Sequence, residues 1–409
     1  MAVCAAKRDF QMKHDIIRRQ SRMPTASQLE VARSLPSNTQ PDWQPAYATV
    51  SASDYFDPDR YAQEQKHLFE GLPVPLAPSA MLEPGSFVCR EGYGRAILLT
   101  RDKAGIAHAF LNSCRHRGSR LASEEDATKR ALFICPYHAW SYNLEGKLMG
   151  VPREETFADL DKSQLGLVAL PTTEKGGIIW VRLDGNAEAG FGHLGDELID
   201  ELEAMNLADM HLFAHRRHKV AGNWKLVMDT FLEGYHVTRL HATTLGHLFE
   251  DAIVRVDRLG SHLRQTSGRM KFEPEMVGEG QTLDELRKVV TYVYTLVPNG
   301  VVICSPDYVN LLLLQPQGPD ETLVENFMLT DLAPATDKAR ERWQRSLDLT
   351  DGSAFQEDFA ASTASHQGLK TGGVKELILG GYEQAIKNYH DILQGFLSAP
   401  DKRSASKAA

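Results

Sequence analysis

Two cysteine and histidine pairs stand in the chain at spacings that suit a metal site. Cys114 and His116 are two positions apart, and Cys135 and His138 are three positions apart. Two thiolates and two neutral imidazoles can hold the two irons of a [2Fe-2S] cluster, and replacing thiolate by imidazole raises the reduction potential. The same four side chains also suit one structural zinc ion, although zinc sites more often begin with two cysteines. The pattern favours the iron-sulfur cluster and leaves zinc as the alternative.

A second group of metal-ligand residue types follows further along the chain. From Asn223 to His236 apolar residues recur at helical spacing, which predicts a long helix with one face in the core. Asp229, Glu233 and His236 then share the opposite face, and His241 follows where the helix ends. A solvated acidic face is the alternative reading. Two imidazoles at this spacing can, however, take adjacent positions on one metal ion.

The first group resembles the cluster-binding segments of a known enzyme family. Cys114-Arg-His-Arg-Gly118 and Cys135-Pro-Tyr-His-Ala-Trp140 are similar to the two segments that bind the cluster in Rieske non-haem iron oxygenase large (alpha) subunits. A small Rieske ferredoxin would share these segments. The rest of the chain therefore decides between the two.

The second group resembles the iron-binding segment of the same family. Glu233-x2-His236-x4-His241, preceded by Asn-Trp-Lys, is similar to the segment in which both histidines ligate iron. Fe(II) that activates O2 needs three protein ligands on one face, so a carboxylate must come from elsewhere. The resemblance to the late helix of the family assigns that carboxylate to Asp358, with the adjacent Glu357 as the alternative.

Two further acids, Glu233 and Asp229, are expected to act near the iron. Glu233 is expected to bridge a cluster histidine and an iron histidine, which would orient both rings and connect the two centres. Most family members have Asp at this position, whereas a subset similar to carnitine and choline monooxygenases has Glu. Asp229 is an outer-sphere candidate, with simple solvation as the alternative.

The pattern of short apolar runs supports the same architecture. Between residues 72 and 183 such runs alternate with turn residues, which predicts a small all-β domain. Later strands and helices segregate, so the fold class is α+β. The resemblance implies a Rieske domain plus a helix-grip catalytic domain, an antiparallel sheet around a long helix. The expected divisions are an extended or partly disordered N-terminal arm at 1–45, the Rieske domain at 46–188, the catalytic domain at 189–400 and a disordered tail at 401–409.

Composition excludes some classes of partner and compartment. The formal net charge is -9, which gives no reason to expect nucleic acid or anionic lipid as a partner. The sequence contains no apolar run of about 20 residues and no signal-peptide core near its start, which predicts a cytoplasmic protein without a membrane partner. Cys4, Cys89 and Cys304 stand alone and are expected to be reduced thiols.

The resemblance also implies the activity. A reductase, with or without a separate ferredoxin, would deliver NAD(P)H-derived electrons through the [2Fe-2S] cluster to a mononuclear Fe(II), within a homotrimer. The reaction would hydroxylate, dihydroxylate or demethylate an organic substrate; an aromatic compound is favoured and a quaternary ammonium compound is the alternative. A Rieske electron carrier without oxygenase activity is the alternative of another class. The strands at 292–304 and 310–314, with Phe327, are expected to line the substrate pocket.

Overall fold

The N-terminal half of the described chain is built from short antiparallel strands. The computed structural model describes residues 22–40 and 44–398. One sheet has the order β10-β5-β4-β3-β6, a second β11-β12-β2 and a third β7-β8-β9, while β1 pairs with β20 near the C-terminus. These strands are β1 (Ala48–Ser51), β2 (Val74–Pro78), β3 (Ser86–Gly92), β4 (Arg95–Arg101), β5 (Ala107–Leu111), β6 (Thr128–Lys129), β7 (Leu132–Ile134), β8 (Ser141–Asn143), β9 (Leu148–Gly150), β10 (Ala169–Leu170), β11 (Thr172–Lys175) and β12 (Ile178–Val181).

The C-terminal half contains one large antiparallel sheet, as the α+β prediction requires. Its order is β13-β19-β18-β17-β16-β15-β14, and each strand from β14 to β19 pairs with its neighbour in sequence. Strand β18, inside this sheet, is buried at every position, because both faces of the sheet are covered there. These strands are β13 (His211–Val220), β14 (Phe249–Leu259), β15 (His262–Arg269), β16 (Val290–Leu296), β17 (Gly300–Cys304), β18 (Tyr308–Pro316) and β19 (Thr322–Thr330), with β20 at Glu376–Leu379.

The helices pack mainly against this sheet. They are α1 (Ala26–Arg33), α2 (Pro58–Glu64), α3 (Asp196–Ala204), α4 (Trp224–Asp229), α5 (Val237–Leu240), α6 (Leu283–Leu286), α7 (Asp337–Leu349), α8 (Phe355–Lys370) and α9 (Gln384–Leu397). Helix α4 lies against β18 and α8, and α9 lies against β15. A π-helical turn at Thr350–Ala354 joins α7 to α8. Such turns are often found beside functional sites.

The long helix predicted for residues 224–236 is wrong in length. Helix α4 ends at Asp229, and the next helical turn begins only at Val237. The N–H groups of Phe231 and Leu232 bond to carbonyls three residues back, which tightens the chain and ends the helix. All six residues of α4 are buried, Asp229 among them, so this part of the predicted polar face is not solvated.

The N-terminal arm is more ordered than its polar composition predicts. Residues 26–33 form α1, which begins with a capping box between Thr25 and Gln28. The Gln28 side-chain amide donates to the Tyr294 hydroxyl (2.8 Å), and the Gln28 carbonyl accepts from the Tyr292 hydroxyl (2.8 Å). The expectation of an extended arm is therefore wrong for this segment. The remaining parts of that expectation, at 1–21 and 41–43, and the tail at 401–409 lie outside the described residues.

One buried acid joins the two halves of the molecule. Glu325 on β19 accepts hydrogen bonds from Arg90 on β3, from His215 and Arg217 on β13, and from Gln315 on β18. Burial raises the pKa of the Glu325 carboxyl, but the interactions with Arg90 and His215 outweigh burial and lower that pKa to about 2. Truncating one partner of such a buried pair leaves the other charge unpaired, which is strongly destabilising. This network holds β3 against the large sheet.

Among the described residues, none of the helices is both long enough and apolar enough to cross a lipid bilayer. The described cysteines Cys89 and Cys304 are free thiols, as predicted, and both are buried. Cys4 lies outside the described residues.

Candidate metal centres

Two tight turns present the cysteine and histidine pairs of the first half. One turn follows β5, where the Cys114 N–H donates to the Ser119 carbonyl (2.9 Å). The other joins β7 to β8, where the Cys135 N–H donates to the Trp140 carbonyl (2.8 Å). Gly118 closes the first turn with a φ of 72°, a left-handed conformation that favours glycine. The spacing seen in the sequence therefore corresponds to two paired loops.

The four side chains of these loops do not converge on one point. The His116 and His138 ring centroids are 4.5 Å apart, and the buried Nδ1 atom of each ring has no hydrogen-bond partner. Within the described part of the chain, only one set of three or more His, Cys, Asp or Glu donors converges within 4.8 Å, and it lies elsewhere. A single zinc ion would hold its donors within about 4 Å of one another. The arrangement fits a two-iron cluster better than zinc.

The surroundings of this site are asymmetric. Cys114 and Cys135 are almost fully buried, and the Tyr142 hydroxyl lies 3.4 Å from the Cys114 sulfur. Trp140 is buried and stacks on the His116 ring, with the planes 7° apart. The histidines are less buried than the cysteines. The histidine end therefore faces the surface, where a partner could approach.

The convergent donor set consists of His236, His241 and Asp358. Asp358 Oδ1 lies 3.4 Å from His236 Nε2 and 3.2 Å from His241 Nε2. This oxygen is buried and has no partner that meets hydrogen-bond geometry. Two imidazoles and one carboxylate that face one point are the ligand set of O2-activating non-haem iron. The residues present therefore fit that ion.

The other nitrogen of each histidine is held by a carboxylate. His236 Nδ1–H donates to Glu233, and His241 Nδ1–H donates to Glu357 at 2.6 Å. The Thr244 hydroxyl also donates to Glu357, at 2.8 Å. A proton held on Nδ1 leaves the lone pair of Nε2 free for a metal ion. Glu357 therefore lies behind the candidate ligands, and Asp358 lies among them.

The interruption after α4 is what places Glu233. Its carboxylate accepts the backbone N–H groups of Tyr235 and His236, which would otherwise lack partners at the start of α5. The same side chain therefore caps the turn and orients the His236 ring. A continuous helix would leave Glu233 without these backbone donors.

The electrostatics of the site favour a cation. Burial lowers the pKa of His236, but the carboxylates of Asp358 and Glu233 outweigh it and raise that pKa to about 10. At His241 burial likewise opposes Asp358 and Glu357, and the net shift is again upward. A divalent ion would satisfy the same negative charge.

Replacing Glu357 with alanine should weaken iron binding. The His241 ring would lose the acceptor that fixes its tautomer, and such losses typically reduce metal affinity by about 10- to 100-fold. Titration of the apoprotein with Fe(II) under anaerobic conditions measures the change. Gln356→Ala, one position away, is the matched control and should leave the affinity within about threefold of wild type. Equal affinities of the Glu357→Ala variant and wild type would contradict the orienting role.

Asp229 lies in a different environment from the one expected. It is buried, accepts a hydrogen bond from the Tyr55 hydroxyl (2.7 Å) and lies 3.1 Å from His390 Nε2 on α9. Its neighbour Lys225 is paired with Glu64, which is also fully buried. The structure therefore ties Asp229 to the packing of α4 rather than to the three convergent donors.

A cavity of about 140 Å³ opens beside His236, His241 and Asp358. A cavity of similar size in another protein holds benzene, so this one suits a small organic molecule. The predicted lining is only partly right: Val293 and Ile303 contribute, whereas the strand at 310–314 and Phe327 do not. Phe327 instead stacks on His215 in the network between the two halves. The other lining residues include Phe231, Phe249, Glu250, Ile253, Val254, Gln265, Ser267 and Phe355.

Two family models match the chain in separate regions. A model for the Rieske [2Fe-2S] domain matches residues 73–169, and a model for the ring hydroxylating alpha subunit (catalytic domain) matches residues 207–399. The carnitine monooxygenase oxygenase subunit of Escherichia coli (strain K12) is 32% identical over 228 residues, 55% of this chain and 58% of the relative. The chloroplastic choline monooxygenase of Spinacia oleracea is 32% identical over 200 residues, 47% of this chain and 45% of the relative.

Solved structures share the fold across most of the chain. A quaternary ammonium Rieske monooxygenase in complex with L-carnitine gives a TM-score of 0.72 at 20% identity and covers 89% of this chain and 99% of its own. Naphthalene 1,2-dioxygenase from Rhodococcus sp. bound to indole gives 0.73 at 21% identity, with 86% and 95% covered. The chain spans roughly half the length of the curated relatives that it matches. Because the two family models match in the order in which the two motifs occur, the chain combines a Rieske [2Fe-2S] domain with the catalytic domain of a ring hydroxylating alpha subunit.

Proposed function

We propose that this chain is the oxygenase component of a multicomponent system that oxidises an organic ammonium compound with O2. The observation that carries the proposal is the convergence of His236, His241 and Asp358 beside a cavity, in a chain that also holds a separate Cys2His2 site. When bound, the cluster supplies electrons one at a time and the mononuclear Fe(II) activates O2. An electron carrier would have no use for the second site.

The chain's own residues would position the reactants. Glu233 and Glu357 keep the Nδ1 protons on the two histidines, so both rings present Nε2 to the ion. Apolar side chains such as Phe231, Ile253 and Phe355 line the cavity and keep bulk water away from a bound substrate. The three donors lie on one side of the site, which leaves the opposite side open for O2.

The substrate class follows the curated relatives. Relatives named as carnitine and choline monooxygenases match this chain at 32% identity, which supports the ammonium alternative over the aromatic compound favoured by sequence. The naphthalene dioxygenase likeness lies below 25% identity and bears on the fold alone. Hydroxylation of a carbon bonded to nitrogen would give a carbinol whose C–N bond then breaks, which releases an aldehyde and the free amine, whereas hydroxylation elsewhere would leave a stable hydroxyl.

The position of Glu233 bears on the oligomeric state of the protein. Within the described chain Glu233 contacts His236 and neither cluster histidine. A bridge from Glu233 to His116 or His138 would therefore need a second copy of the chain. This supports an oligomer, and the family resemblance implies a homotrimer in which the cluster of one subunit faces the iron of the next. Electrons from NAD(P)H would enter through a reductase, with or without a ferredoxin.

Metal content and turnover together test this function. Purified holoenzyme should contain about three iron ions per chain, two in the cluster and one at the mononuclear site. With a surrogate reductase, NADH-dependent O2 uptake should require an ammonium substrate and yield one oxidised product per O2. Two iron ions per chain and no substrate-dependent uptake would indicate an electron carrier instead. One zinc ion and no visible absorbance would indicate a structural metal site.

A further inference from the structure

Glu250 enters the cavity from an irregular point of β14. The pairing of β14 with β15 is in register from Val254 to Leu259 but shifts between Phe249 and Val254. Phe249, Glu250, Ile253 and Val254 all line the cavity, although regular alternation would turn every second side chain away. Bulges next to active sites commonly redirect side chains in this way. The irregularity therefore places an acid in an otherwise largely apolar wall.

Among the described residues that line the cavity, Glu250 carries a negative charge that no positive group balances. Three acids line the cavity, and Glu233 and Asp358 among them are engaged with the histidines. The two positive charges of Fe(II) would balance those two carboxylates. Glu250 is half-buried and has no hydrogen-bond or ion-pair partner among the residues that the structure describes. Its negative charge is therefore available to a ligand.

The described lining residues include neither lysine nor arginine. The Arg269 guanidinium packs over the Phe249 ring, 5.2 Å from its centroid, and donates to Thr291. Arg269 therefore lies behind residues that line the cavity and does not line the cavity itself. A carboxylate on the substrate would meet Glu250 without a cation to pair with, whereas an ammonium group would meet both Glu250 and aromatic faces.

We propose that Glu250 selects substrates by charge, so that the substrate is a small organic cation without a carboxylate, such as a trimethylammonium alcohol. This rests on the proposed function and narrows it, because carnitine carries a carboxylate and choline does not. Glu250 would neutralise the ammonium group, and Phe231, Phe249 and Phe355 would contact its methyl groups. Specificity would then arise as much from repulsion of the zwitterion as from attraction of the cation.

The test compares ligands of the same shape and different charge. Choline, its uncharged carbon analogue 3,3-dimethylbutan-1-ol, and carnitine are titrated into iron-loaded holoenzyme by calorimetry, and NADH-dependent turnover is measured for each. Choline should bind at least about tenfold more tightly than the other two compounds. In Glu250→Gln the affinity for choline should fall by about 10- to 100-fold, while that for the neutral analogue changes by less than about threefold. Glu279→Gln, an exposed acid outside the cavity lining, should leave all three affinities unchanged.

The outcomes separate this inference from the function on which it rests. Tighter binding of carnitine than of choline, or an unchanged choline preference in Glu250→Gln, would overturn the charge selection. If carnitine binding is preferred and Arg269→Met abolishes it, Arg269 holds the carboxylate in place of the proposed arrangement. Charge-selective binding that depends on Glu250 but is followed by no oxidation of any compound would retain the selection and refute the oxygenase function. Unchanged iron content and cluster absorbance in each variant establish that it is folded.

Discussion

Replacing His236 with alanine should remove the mononuclear iron and the oxygenase activity and leave the cluster in place. The side chain supplies one of the three donors that converge within 4.8 Å, and two donors hold Fe(II) poorly. The affinity for the mononuclear iron should fall by more than the approximately 10- to 100-fold decrease that follows removal of an outer-sphere partner. Iron per chain should fall from about three to about two, with substrate-dependent O2 uptake lost.

The cluster is the internal reference for this variant. Cys114, His116, Cys135 and His138 lie in loops of the other half of the chain, so visible absorbance and the electron paramagnetic resonance signal of the reduced cluster should match wild type. His247→Ala alters an exposed histidine outside the donor set and should keep all the iron. Loss of the cluster signal in His236→Ala would show that the donors are divided differently between the two sites.

The strands and the paired loops could be predicted from local patterns. Within the region from 72 to 183, where short apolar runs predicted an all-β domain, the runs near Phe87, Ala96, Ile106 and Ile178 form strands, because alternation and turn residues reflect the backbone directly. The Cys-x-His and Cys-x2-His spacings are short enough to lie within a single turn, so the two loops could also be predicted from the sequence. Local patterns do not give the distance between two loops that are separate in sequence. Only the structure revealed that the four donors do not converge on one point, which separates a cluster from zinc.

The sequence pattern did not predict the break after α4. Apolar spacing from Trp224 to Leu232 continues the helical period, and these side chains are buried, yet the backbone leaves the helix at Thr230. Periodicity reports which side chains face the core and does not report competing hydrogen bonds. Here Glu233 accepts two backbone N–H groups, an arrangement that depends on where His236 must point. The departure from the pattern lies at the functional site, where such departures are expected.

The choice between Glu357 and Asp358 shows a similar limit. Adjacent residues on a helix point about 100° apart, so only one of the two can join a given set of donors. The sequence indicates the helix but not its rotation. Rotation is set by the packing of α8 against α4, and by the π-helical turn before it, where Asp351 bonds to His218 and Asn326. In the structure Asp358 faces both histidines, and Glu357 faces the back of His241.

Part of the pocket lining was predicted on the wrong strand. Strand β18 carries four consecutive leucines at 311–314, which suggested a pocket wall, but that run reflects burial under α4 inside the sheet. The cavity lies instead between the segment after α4 and the neighbouring strands β14 to β17. Apolar composition alone does not distinguish a core strand from a pocket strand.

Replacing Glu233 with glutamine should slow electron transfer between the two centres while both metals remain bound. The substitution keeps the size of the side chain and removes the charge that holds the His236 Nδ1 proton. If Glu233 also reaches a cluster histidine of a neighbouring subunit, the rate should fall by about 10- to 100-fold, as for other outer-sphere partners. Single-turnover oxidation of the reduced cluster, followed by its absorbance in the presence of substrate and O2, measures this rate.

Glu357→Gln is the matched control, because Glu357 plays the corresponding role for His241 but does not contact His236. It should likewise keep both metals bound, because the glutamine amide oxygen can still accept the His241 Nδ1 proton, and it should leave the electron-transfer rate close to wild type. A slow rate only in Glu233→Gln would separate a connection between centres from simple support of a ligand. The same rate in Glu233→Gln as in wild type, with both metals present, would remove the bridge and leave Glu233 as the residue that caps the turn before α5.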